Sequence, residues 1–140
     1  MARITLKGLE EYEKKISLMA KDTKIICGAA IYEGASIMAD EIKAGIRSLP
    51  RKTGVTQKGL EEGFGISKLR EDSGFYNVKL GFEGYNANGE PNVMMARIME
   101  SGTSKVPKHP FVRPAVNRAK AAAQDKMAAV LDEEIEKRMK

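Results

Sequence analysis

The chain has 140 residues, 42% hydrophobic and 31% charged, which is the size and balance of one globular domain able to bury a substantial core. No apolar run approaches the roughly 20 residues that cross a bilayer as a helix, and the single cysteine, Cys27, excludes an internal disulfide and a thiolate zinc cluster. The net charge of +5 is concentrated at the end, where nine lysines and arginines against five acidic residues leave +4 over 105–140; such a surplus fits an anionic neighbour or solvated lysine-rich helices equally.

The opening stretch MARITLKGLEEYEKK turns charged within a handful of residues and lacks the apolar segment of a secretory signal, so synthesis in the cytoplasm is expected. From Leu9 to Leu49 apolar residues recur at helical spacing: Leu9, Tyr12, Ile16, Met19, then Ile26, Ala30, Ile37, Ile42 and Ile46. Asp22 and Thr23 can each cap a new N-terminus, which divides the tract into a short helix and a long one. Cys27 lies among Ile25, Ile26, Ala29 and Ala30, the setting of a buried, inert thiol. Gly28, Gly34 and Gly45 each weaken the long helix by about 1 kcal/mol relative to alanine, so packing must hold it, and close approach of another element is one explanation of the glycines. LPRKTG, 49–54, ends the helix through Pro50.

GFGISKLR (63–70) and FYNVKLGF (75–82) alternate β-branched or aromatic residues with polar ones and are joined by EDSG, the pattern of an antiparallel hairpin. EGYNANGEPN, 83–92, predicts a long loop or mobile hairpin tip. VMMARIME, 93–100, fits a strand or a helical turn and reads as a strand or extended edge. After the proline-rich segment, Val116, Ala119, Ala123, Met127, Val130, Leu131, Ile135 and Met139 trace a C-terminal amphipathic helix. The expected fold is α+β in a single domain over 1–140: a helical tract (1–50), a small three- or four-stranded antiparallel sheet with a mobile loop (51–104), and a proline-rich corner leading into the C-terminal helix (105–140). The long N-terminal helix covers the sheet.

Catalytic, cofactor and metal sites find no footing in the residues. His109 is the chain's one histidine, no acidic neighbour in sequence orients it, and it reads as a capping or hydrogen-bonding group. Glu61 and Glu62 point to different faces of any regular element, and GFG at 63–65 lacks the rest of a dinucleotide fingerprint. Lys105, Lys108, Arg113, Arg118 and Lys120 form a basic cluster with only Phe111 as an aromatic among them, which reads first as a solvated basic helix start and otherwise allows phosphate contact without base reading. Pro107, Pro110 and Pro114 stiffen the path into a helix that begins at or after Pro114, with Phe111 as an apolar anchor and Gly102 and Thr103 permitting a sharp turn beforehand. Arg113 on that rail suits a bidentate ion pair with Glu100.

The stretch MESGTSKVPKHPFVRPA, through Glu100, Gly102, Thr103, Lys105, Pro107, Pro110, Phe111, Arg113, Pro114 and Ala115, resembles the signature of the gene-product-ten-like tail-component family of long-tailed phages and prophages. Thr53-Gly54 after a long helix is similar to that family's second landmark, and the similarity of layout covers nearly the whole chain. The chain departs from the family where a leucine commonly follows Thr-Gly closely and where Met95 replaces a common tyrosine. The resemblance implies a non-enzymatic structural protein of the virion neck, made in the bacterial host cytoplasm, that serves tail completion or head-tail joining as a ring of identical subunits. It also implies other neck, connector or tail proteins as partners. A small basic DNA-binding accessory protein using Lys105, Lys108, Arg113, Arg118 and Lys120 is the alternative.

Overall fold

Residues 23–47 form a helix because apolar side chains recur every three or four positions, and Ile26, Ala30, Ile31, Ala35, Met38, Ala39, Ile42 and Ile46 are all buried along it. The computed structural model describes residues 2–5, 22–50 and 54–139. The short helix expected from Leu9 onward lies outside the described residues, as does Thr53. The element order is β1 (Ala2–Thr5), α1 (Thr23–Arg47), α2 (Gly54–Gly63), β2 (Phe64–Ile66), β3 (Arg70–Asp72), β4 (Phe75–Phe82), α3 (Asn92–Ser101) and α4 (Val112–Met139). The architecture is α+β, with the long α1 laid on an antiparallel sheet and a C-terminal helix packed along α1.

β4 is the spine of the sheet. On one side it pairs with β1 in antiparallel register, Ala2 opposite Leu80 and Thr5 opposite Asn77. On the other it pairs with β2, Phe64 opposite Phe82, and with β3, Asp72 opposite Phe75. The expected hairpin is therefore present, with its first strand interrupted at 67–69, where the register shifts by one residue as in a bulge. Ser67 holds the interruption: its amide donates to Lys79 O at 2.8 Å, its Oγ accepts from the Lys79 amide at 2.8 Å, and Tyr32 of α1 donates its hydroxyl to Ser67 O. Ser73 and Gly74 have φ of 52° and 84°, as the two-residue primed turn of a tight hairpin requires. Val78 and Leu80 point from β4 into the core against α1.

Three segments depart from the sequence reading. Residues 2–5 pair as a strand that their periodicity did not announce, since four residues carry too little pattern and β4 supplies the order. Residues 54–63 form α2, whose Gln57 side chain donates to Ile46 O at 2.9 Å and Arg47 O at 3.0 Å and so satisfies the open carbonyls at the end of α1. Residues 92–101 are helical rather than extended: Asn92, Ala96 and Met99 are buried at helical spacing, and Pro91 stands immediately before the first turn.

The close approaches anticipated at the α1 glycines are real. A Cβ on Gly34 would lie 2.5 Å from Met127 Cγ, and one on Gly45 would lie 3.0 Å from Phe111 O. α4 answers with Ala115, Ala119, Ala123, Met127, Leu131 and Ile135, a buried row at every fourth residue whose small members fall between the Phe111 contact at Gly45 and the Met127 contact at Gly34. At the far end, Asp22 stands at the N-cap of α1, but its carboxylate accepts from Arg138 Nε at 2.9 Å and bonds no α1 amide. The guanidinium also donates to Glu134, so Asp22 and Glu134 share one cation that ties the start of α1 to the end of α4.

Candidate functional site

The segment from Glu100 to Ala115 folds as a closed corner between α3 and α4. Gly102 ends α3 with φ 73°, ψ 175° while its amide donates to Ile98 O at 2.7 Å. Few side chains tolerate that conformation, and a Cβ there would sit 2.9 Å from Lys108 N. Thr103 then closes a small turn: its Oγ1 accepts from the amides of Lys105 and Val106, and its own amide donates to Val106 O at 2.8 Å. The His109 amide donates to Met99 O at 2.7 Å, which lays the proline-rich strap back against α3.

Glu100 locks the corner. Oε1 accepts from the amides of Phe111 (2.9 Å) and Val112 (3.0 Å), and Oε2 from those of Val112 (3.1 Å) and Arg113 (3.2 Å). A carboxylate from the last turn of α3 thus caps the first turn of α4, where free N–H groups and the positive end of the helix dipole both favour an anion. This corrects two expectations. Glu100 does not pair with the Arg113 side chain, because three convergent amides hold its oxygens. And α4 begins at Val112, which puts Pro114 within the first turn, where its missing N–H is not needed. Phe111 is the expected anchor: 3% exposed, it rests on Gly45 and meets the Phe82 ring edge-on at 6.0 Å, and Phe82 in turn meets Phe64 at 5.3 Å. Ala115 is fully buried behind it.

Beside the corner lies an open cleft of about 650 Å³. Met38 and Ile42 of α1 with Phe64, Leu80 and Phe82 of the sheet line its apolar floor. α3 contributes Val93, Ala96, Arg97 and Glu100 to one wall, and α4 contributes Val112, Arg113, Val116 and Lys120 to the other. Of the residues singled out in the sequence, the cleft gathers Glu100, Arg113 and Lys120. It does not gather Lys105 and Lys108, which are exposed on the strap, nor Arg118, which bonds Glu41 of α1 at 3.1 Å. At about 100° per residue Arg113 and Lys120 share one face of α4 while Arg118 turns away, so the five cations do not make one patch. Sequence reasoning missed Arg97 and Val93: reading 93–100 as extended hid the face that Val93, Arg97 and Glu100 share on a helix.

Two ionisable features lie outside the cleft. Burial, with the nearby Glu71 carboxylate adding to it, pushes the Tyr76 hydroxyl above its ordinary range. The hydrogen bond from Arg138 holds Glu134 below the usual carboxylate range. Among the described residues no cluster of histidine, cysteine and carboxylates is arranged to hold a metal ion, and no helix is long and apolar enough to cross a membrane. No family model, curated protein or solved structure matches the chain.

Proposed function

We propose that the chain is a non-enzymatic structural protein of the virion neck in a long-tailed phage or prophage, acting in tail completion or head-tail joining as a ring of identical subunits. The observation that carries this reading is the agreement between the residues of the resemblance and the mechanics of the corner. Glu100 caps α4, Gly102 makes the reversal, Thr103 closes the turn, Phe111 anchors on Gly45 and Phe82, and Pro114 sits in the first helical turn. Each of these five residues serves to fix the angle between α3 and α4. A subunit that must offer the same faces in every copy of a ring depends on that kind of preorganisation.

Deleting the gene from a phage that carries it should leave filled heads and separate tails, and adding the purified chain back to such a lysate should restore joined particles. Normal joined virions from the deletion would refute the role. Salt-sensitive binding to duplex DNA, with virion joining unaffected, would replace it with the accessory DNA-binding reading.

A further inference from the structure

The cleft between α3 and α4 combines an apolar floor with a rim of one sign. Arg97, Arg113 and Lys120 are exposed along it, and among the described residues no carboxylate lies within ion-pair distance of any of them. Among the described residues Glu100 is the one acidic residue lining the cleft, and its oxygens are held by the amides of Phe111, Val112 and Arg113. Among the described residues the rim is therefore positive with no ion pair to offset it, and Val93, 39% exposed, extends the apolar surface outward on α3.

We propose that this cleft docks an acidic amphipathic segment of a partner protein, whose apolar side chains lie on Phe82, Ala96 and Val116 while its carboxylates meet Arg97, Arg113 and Lys120. Charge complementarity selects this occupant. Single-stranded nucleic acid would want exposed aromatic faces for its bases, whereas Phe64 and Phe82 are turned on one another, and the phosphates of a duplex would leave the apolar floor unused. A second copy of the chain would have to offer apolar and acidic groups together. Among the described residues its densest acidic run, Asp132–Glu136, has Ile135 as the apolar member, and that side chain is buried in the same copy's core. The cleft's chemistry holds whether or not the partner belongs to a virion.

The test is selection of a random peptide library, roughly 12 residues or three helical turns in length, on the full-length chain. Selected peptides should carry apolar residues at helical spacing with a surplus of aspartate and glutamate. Bound to the protein, they should shift the nuclear magnetic resonance signals of Val93, Ala96, Val112 and Val116. Replacing Arg97, Arg113 and Lys120 together by glutamine should weaken them roughly ten-fold, the combined effect of three exposed charge pairs. All three side chains are exposed, and the single Lys120→Gln variant gives a smaller loss of the same sign should the triple variant lose its fold. No enrichment, enrichment without an acidic surplus, unchanged affinity in the variants, or shifts elsewhere would overturn the proposal. So would self-association, or binding of a duplex DNA oligonucleotide, that maps to the same four signals.

Discussion

Glu100→Ala separates two accounts of the corner. If the carboxylate acts as the cap of α4, its loss strands the amides of Phe111, Val112 and Arg113, which it holds at 2.9 to 3.2 Å. Removing a helix cap costs about 1 kcal/mol, and removing a partly buried anion from a helix N-terminus costs about 1 kcal/mol more. The expected destabilisation is thus about 2 kcal/mol, or roughly 4 to 8 °C in melting temperature for a domain of this length. Glu100→Gln, which keeps an acceptor oxygen but not the charge, should lose roughly half as much. Arg113→Gln should change stability by less than about 0.5 kcal/mol, because the side chain is exposed and glutamine keeps the backbone amide that Glu100 holds. The decisive measurement is the double-mutant cycle in urea unfolding. Glu100→Ala should cost the same in the wild-type and Arg113→Gln backgrounds. A coupling above about 1 kcal/mol would mean that the two side chains form the ion pair after all, and a neutral Glu100→Ala would remove the cap as the device that fixes the corner.

The remaining expectations follow from the same packing. Phe111→Ala should cost about 3 to 5 kcal/mol in urea unfolding, since the ring is buried between Gly45 and Phe82; a loss under about 1 kcal/mol would show that the site collapses freely. Gly45→Ala should destabilise despite a helix-propensity gain of about 1 kcal/mol, because its Cβ meets the Phe111 backbone, whereas Gly65→Ala, with no atom within 4 Å of the new Cβ, should be neutral or better. Ser73→Asn should raise the unfolding midpoint slightly, because asparagine suits the positive φ that Ser73 adopts. Finally, Glu134 is held below the ordinary carboxylate range, first by its hydrogen bond from Arg138. Its contribution is therefore fully present above the unfolded-state pKa and lost as pH falls through the lowered folded-state value. Arg138→Gln should flatten that part of the acid limb in a pH series of unfolding measurements.

The long helix was legible in sequence because its signal is redundant. Ile26, Ala30, Ile42 and Ile46 repeat the same period over more than five turns, so no single residue decides it. The hairpin was legible for a similar reason, through alternation on both strands and a turn of Ser73 and Gly74. Phe111 was legible as an anchor because a lone aromatic between prolines in a polar strap has few other uses. Short segments were another matter: residues 93–100 carry an apolar run that both periods fit, and only the burial of Asn92, Ala96 and Met99 together makes them a helix.

Local chemistry in the sequence by itself determined the fold class, the boundary at Asp22, the need for neighbours at Gly34 and Gly45, and the stiffness of the strap. These properties arise from the covalent restrictions of proline and glycine and from periodicity, which act within a few residues. Only the tertiary structure decided where Asp22 and Glu100 spend their carboxylates. An anion goes to the densest set of donors in space: for Glu100 these are three amides eleven to thirteen positions onward, and for Asp22 a guanidinium 116 positions away. The cleft with its positive rim is likewise a product of packing, because Arg97, Arg113 and Lys120 share it only once α3 and α4 stand on either side of Phe82.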